Sequence, residues 1–122
     1  MTFSKTVITL GVDPGNRLSG LLAALRGHGY QLVELPTFEG LFPALKRHPE
    51  AVILVYDPAG QSAIHQLLQT ASPVIVLVDR SDFDQYYELM CAGAFDYFEL
   101  DTDLQWIEHS VRCASVQVPA AA

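Results

Sequence analysis

Cysteine is scarce in this chain: Cys91 and Cys113 are the only two among 122 residues. They fall in separate helical patterns and form no CxxC pair, so reduced thiols are expected in place of a disulfide or a zinc site. The four histidines, His28, His48, His65 and His109, are scattered, with no second ligand-type residue at clear metal spacing. Long apolar runs are missing as well. None reaches the roughly 18 to 20 residues that span a bilayer, and the start "MTFSKTV" has no long apolar segment with a small-residue cleavage site. A cytoplasmic protein with no membrane partner is expected. Basic side chains are also few, 7 Lys and Arg against 14 Asp and Glu, for a formal charge of −7. Such a field repels phosphate backbones and anionic lipid, so direct nucleic-acid binding is not expected.

What is present is apolar sequence in short, regular pieces. Half of the residues are hydrophobic, and a chain of this length buries roughly two thirds of its unfolded surface, which suits one compact domain. Short apolar runs alternate with segments of helical period, the pattern of βαβ units on a parallel sheet. Five runs read as strands: "TVITLGV" (6–12), "YQLVEL" (30–35), "AVILVYD" (51–57), "PVIVLV" (73–78) and "FDYFEL" (95–100). The third and fourth are continuously apolar, as central parallel strands covered on both faces should be.

Between the strands, Leu18, Leu21, Leu22 and Leu25 mark a first helix that ends in "GHGY", whose glycines suit a C-cap. A second helix is weaker. Thr37 can cap it, but Gly40 and Pro43 penalise a helix interior, so the pattern is firm only over "PALKRH". A third is expected at about 60–71. A fourth, about 82–92, starts with Ser81 or Asp82 as cap, and a fifth, about 103–115, has Thr102 as cap. The end "SVQVPAAA" lacks periodicity, which makes 1–116 the domain and 117–122 a flexible tail.

The segment "VITLGVDPGNRLSG" (7–20) matches two unrelated beginnings. A strand ending in Gly-Val-Asp-Pro-Gly resembles the start of Holliday-junction resolvases of the ribonuclease H fold, metal-dependent nucleases. A strand that delivers an aspartate to a loop before a helix also resembles the start of receiver domains. The nuclease fold continues into an antiparallel second strand, whereas Leu18 to Leu25 carries a helical period, so the nuclease is the remote alternative.

In an open parallel sheet, ligands bind beyond the carboxyl ends of the strands, here at Asp13, Asp57, Val78, Asp79 and Leu100. With "ALKRHPEAVILVYD" (44–57), "SPVIVLVDRSD" (72–82) and "CAGAFDYFELD" (91–101), the chain resembles a receiver domain of the two-component response-regulator family over about residues 5–116. The resemblance implies a (βα)5, flavodoxin-like fold with strand order 2-1-3-4-5 and no enzyme activity of its own. It makes Asp57 the candidate phosphoacceptor and Asp13 one of the two acids that help hold Mg²⁺. In a gapless match Asp13 is the second acid and Val12 stands for the first; the leucine phase of the first helix would slide this by one. Either way one acid remains.

Two further positions depart from the family. Val78 stands where a Thr or Ser contacts the phosphoryl group, and Leu100 stands where a Lys does so. The Met-Pro that follows the phosphoacceptor in the family is replaced by "DPAGQS". Asp13 and Asp57, with the backbone carbonyl near Ala59, still offer a weak Mg²⁺ site. Around them Asp79, Glu99 and Asp101 would form a negative rim, which Arg80 or Arg17 can offset.

Tyr97 falls on the switch-aromatic position, but Val78 lacks the hydroxyl that such a ring follows, so a packed or interface role is expected. Phe83, Tyr86 or Tyr87, and Met90 follow the spacing of a buried stripe, leaving one tyrosine over. In the family the face of helix 4, strand 5 and helix 5 docks partners. Phe83, Tyr86, Tyr87 and Tyr97 are therefore the interface candidates, for a histidine kinase, a downstream signalling protein or a second copy in a homodimer. The expected function is an atypical receiver, mainly an interaction module with impaired phosphorylation. The alternative is a Mg²⁺-dependent phosphoacceptor that uses Arg80 in place of the missing Lys.

Overall fold

The computed structural model describes residues 6–11, 18–56 and 67–117. Within them the Val- and Ile-rich runs form β1 (Thr6–Leu10), β2 (Gln31–Leu35), β3 (Val52–Tyr56), β4 (Val74–Val78) and β5 (Asp96–Glu99). All pair in parallel, in the order β2-β1-β3-β4-β5. Every residue of β1, β3 and β4 is buried, while the edge strands β2 and β5 are half-exposed. That split explains the sequence pattern, because only a central strand is covered on both faces. The parallel pairing of β1 with β2 also removes the nuclease reading, which needs an antiparallel second strand. Several strands are shorter than their apolar runs; β1 stops at Leu10 because Gly11 turns the chain.

Alternation along the strands sorts the core into two layers. Val7, Val52, Leu54, Tyr56, Ile75 and Leu77 face one side; Ile8, Ile53, Val55, Val74, Val76 and Val78 face the other. On the first side lie α1 (Ser19–Gly27), through Leu21, Leu22 and Leu25, and α4 (Leu104–Gln117), through Ile107, Val111 and Ala114. On the second lie α2 (Leu41–Arg47), through Leu41 and Ala44, and α3 (Phe83–Ala92), through Leu89. Of the helix expected at 60–71, residues 60–66 lie outside the described residues; Leu67 is fully buried on the α2 and α3 side.

The helix ends follow local chemistry. After α1, Gly29 at φ 89° closes a Schellman turn in which the Tyr30 N–H donates to the Leu25 carbonyl at 3.0 Å. Pro43 is tolerated because it lies in the first turn of α2, where its missing N–H has no intrahelical partner to lose. Thr37 precedes a short 3₁₀ turn (Phe38–Gly40) and makes no side-chain cap there, contrary to expectation. Thr102 does not cap α4 either. Asp103, one residue nearer the helix, accepts from the Gln105 N–H at 3.3 Å. At α3 the expected Asp82 cap is present: Oδ1 accepts from the N–H of Asp84 at 2.9 Å and of Gln85 at 3.4 Å. Asp82→Ala should cost about 1 kcal/mol in a urea melt, and Asp82→Asn much less.

The aromatic stripe expected to bury α3 is not buried. Phe83, Tyr86 and Tyr87 are exposed, Met90 is half-buried, and Leu89 alone of this helix is fully in the core. Several phases of a helix this rich in apolar residues satisfy a 3.6-residue period, and the position of β5 decides which is used.

Candidate functional site at the carboxyl ends of the strands

Because all five strands run in parallel, their carboxyl ends share one edge of the sheet, where the residues that follow each strand converge. The first of these loops begins at Gly11, whose N–H donates to the Leu35 carbonyl at 3.0 Å and whose φ is 118°. A Cβ there would lie 2.6 Å from the Tyr56 carbonyl oxygen, so only glycine lets this loop leave the sheet so close to β3. Val12, Asp13, Arg17, Asp57 and Ala59 lie outside the described residues. The acid pair and the carbonyl named for Mg²⁺ are therefore not among the positions described. Among the described residues no three His, Cys, Asp or Glu side chains gather as a metal-ligand group.

The next two strand ends are occupied by hydrocarbon. Val78 is 2 % exposed and sits among the core residues facing α2 and α3. Its carbonyl accepts from the Leu100 N–H at 2.9 Å, which brings these two positions side by side. Leu100 is half-buried and packs against the opposite layer, beneath α1 and α4. Neither side chain offers a hydrogen bond or a charge.

Polar groups around them are tied to one another. The Tyr56 hydroxyl donates to Asp79 Oδ1 at 2.7 Å, linking the ends of β3 and β4 across 23 residues of sequence. Glu99 Oε1 accepts from the Ser81 N–H at 2.6 Å. This hydrogen bond, with help from the Arg80 charge, holds the Glu99 carboxyl below the usual carboxylate range. Asp96 connects β5 to α4: its Oδ2 accepts from the buried Ser110 hydroxyl at 2.9 Å. Sequence reasoning missed these pairs, since partners so far apart leave no periodic signal.

Tyr97 is 8 % exposed, a packed aromatic that reaches the surface only as the floor beneath the α3 rings. Its hydroxyl donates to Gln85 Oε1 at 2.7 Å and accepts from the Asp82 N–H at 3.3 Å, pinning β5 to the first turn of α3. Burial is the main cause that raises its pKa above the ordinary value, and the charges of Asp82 and Glu99 act in the same direction. A group whose folded pKa is raised contributes stability that is complete below its unfolded pKa and lost as pH rises through the folded one. Tyrosinate formation at Tyr97 should therefore lag behind free tyrosine, at a midpoint above about 10, and weaken the fold as it proceeds. A ring-labelled NMR titration, with Tyr97→Phe to assign the signal, checks this; a midpoint at or below 10 contradicts it.

Tyr97 forms the floor of an aromatic cluster. The Tyr86 ring meets it edge-on at 5.6 Å, and Phe83 lies 6.5 Å from Tyr86 and 6.4 Å from Tyr87. Phe83 is 75 % exposed, Tyr86 40 % and Tyr87 63 %. Between the start of α3 and the end of β5 runs an open cleft of about 410 Å³, lined by Asp82, Phe83, Tyr86, Tyr97, Phe98 and Glu99 among others. A second hollow, on the α4 side of β5, is lined by Trp106, 59 % exposed, and by His109 and Cys113. There the His109 Nε2 lies 3.6 Å from the Cys113 sulfur. That pair stands at i and i+4 on one helix, so a second ligand-type residue does lie beside one of the histidines, at a spacing legible in the sequence.

No family model matches the sequence, and no curated protein matches it. Solved structures do match in fold. The beryllofluoride-activated receiver domain of RstA from Klebsiella pneumoniae aligns at a TM-score of 0.76 and 18 % identity, over 92 % of this chain and 99 % of its own. A response regulator from Thermotoga maritima aligns at 0.74 and 20 %, over 93 % and 99 %. The receiver domain of the response regulator NarL from Mycobacterium tuberculosis aligns at 0.70 and 18 %, over 93 % and 98 %. The chain has the receiver fold of the response regulators, in the strand order and layer arrangement that the sequence resemblance implied.

Proposed function

We propose that the chain is an atypical receiver domain of bacterial two-component or phosphorelay signalling, cytoplasmic, which works mainly as a protein–protein interaction module. Phosphorylation at Asp57 is impaired in this reading. One observation carries it: Val78 and Leu100, neighbours at the strand ends, present hydrocarbon packed into the core at the two positions that the resemblance matches to a receiver's phosphoryl-binding hydroxyl and ammonium. Phosphoryl transfer to a carboxylate is catalysed mostly by positioning and by compensating the charge on the equatorial oxygens. With both contacts gone, Asp57 keeps at most a weakened metal site. Asp13, Asp57 and the Ala59 carbonyl would hold Mg²⁺, which when bound supplies positive charge beside the accepting carboxylate. The exposed rings on α3 support the interaction role, because an aromatic surface of this kind is typical of docking faces. A histidine kinase, a downstream protein or a second copy would dock on α3, β5 and α4.

The test is incubation with Mg²⁺ and acetyl phosphate or beryllofluoride, read by intact mass and by ¹⁹F NMR. Little or no adduct is expected. An adduct formed at ordinary donor concentrations and abolished by Asp57→Asn would establish the phosphoacceptor alternative instead.

A further inference from the structure

The charge of this chain is unevenly placed. Nine of its fourteen acids but only two of its seven Lys and Arg residues, Arg80 and Arg112, lie between residues 79 and 112. That stretch, which contains α3, β5 and most of α4, therefore carries a formal −7, the net charge of the whole chain. The remainder is balanced. The exposed rings of Phe83, Tyr87 and Trp106 belong to this same acidic third.

We propose that the α3–β5–α4 face receives an arginine-bearing segment of another protein, its guanidinium seated in the cleft between the start of α3 and the end of β5. The inference rests on the interaction-module reading and names the partner's chemistry. The cleft combines two carboxyl groups, Asp82 and Glu99, with the rings of Phe83, Tyr86 and Tyr97. A planar, weakly hydrated cation that stacks on rings and pairs with carboxylates suits such a wall better than a compact ammonium does. Phe83 and Tyr87, near-parallel at 25°, offer an apolar shelf beside it for the segment's neighbouring side chains.

Electrostatics also argues against a second copy as the occupant. A two-fold interface sets one patch against itself, so it must carry both signs of charge to pair them across the axis. Two copies of this face would set its acids, Asp82 and Glu99 among them, against each other, and like charges brought together across an interface cost affinity. A cationic segment is attracted by the same field, and its association is steered by it.

The full ¹⁵N-labelled chain is titrated with a short synthetic peptide of leucine, alanine and arginine, and with its counterpart bearing glutamate in place of each arginine. The arginine peptide is expected to shift the amides of 81–87 and 97–102 saturably, more weakly at high salt, and the glutamate peptide to leave them unmoved. Phe83→Ala, at an exposed position, should weaken binding about three- to fivefold with an unchanged circular dichroism spectrum. Glu99→Gln, which keeps an acceptor for the Ser81 N–H, should do the same. Equal binding of both peptides, shifts that map elsewhere, or unchanged affinity in both variants would overturn the proposal. Sedimentation of the chain alone separates the two levels. Self-association abolished by Phe83→Ala refutes the cationic partner but keeps the docking face, whereas neither peptide binding nor self-association at this face refutes both.

Discussion

Gly11→Ala is expected to destabilise the domain by about 3 kcal/mol or more, the largest loss expected from a methyl group added at any of the described glycines. Two independent terms combine. The backbone at φ 118° is a region that residues with a side chain rarely enter. The new Cβ would also stand 2.6 Å from the Tyr56 carbonyl oxygen, which belongs to β3 and cannot move without breaking a central strand. Gly29→Ala is the internal control. Its φ of 89° imposes backbone strain too, but nothing lies within 4 Å of its Cβ, so only about 1 kcal/mol should be lost. Urea melts of the two variants give the comparison, and equal losses would show that the contact with Tyr56 contributes nothing.

The second large effect is a gain. On the proposed reading, in which hydrocarbon at the strand ends impairs phosphorylation of Asp57, Val78→Thr combined with Leu100→Lys should raise the rate of acetyl-phosphate modification about a hundredfold or more. One well-placed donor to a developing anion is commonly worth that much. Stability should fall at the same time. Val78 is almost fully buried, so a hydroxyl at this position loses water and costs about 1 to 3 kcal/mol unless it finds a partner. A lysine at 100 must give up the packing of Leu100 beneath α1 and α4. Intact-mass kinetics on the folded double variant decides the matter. A folded variant that reacts no faster than the parent would count against that reading.

How much of this was legible in the sequence depended on the range of the interaction. The strands, the leucine face of α1 and the α3 cap, expected at Ser81 or Asp82 and found at Asp82, are short-range features set by residues a few positions apart, and each lies within its expected segment, several strands being shorter than their apolar runs. The cap of α4 slipped by one residue because Thr102 and Asp103 offer similar chemistry, and the turn that follows β5 selects the aspartate. The aromatics of α3 misled because Phe83, Tyr86 and Met90 satisfy a helical period as well as Leu89 does. Their exposure is decided by the depth at which α3 sits on β5, where Leu89 and Tyr97 already fill the layer.

Length, charge and the alternation of apolar runs by themselves determined a parallel α/β domain with acids at one end, since hydrophobic periodicity and charge are local and additive. The tertiary structure alone decided which groups meet there. It joined Tyr56 to Asp79, Glu99 to Ser81 and Asp96 to Ser110, and turned Val78 and Leu100 into opposite core layers. It also left Phe83 and Tyr87 on the surface. Such contacts depend on the pairing of strands distant in sequence, and no pattern within a single segment encodes a partner that the fold supplies.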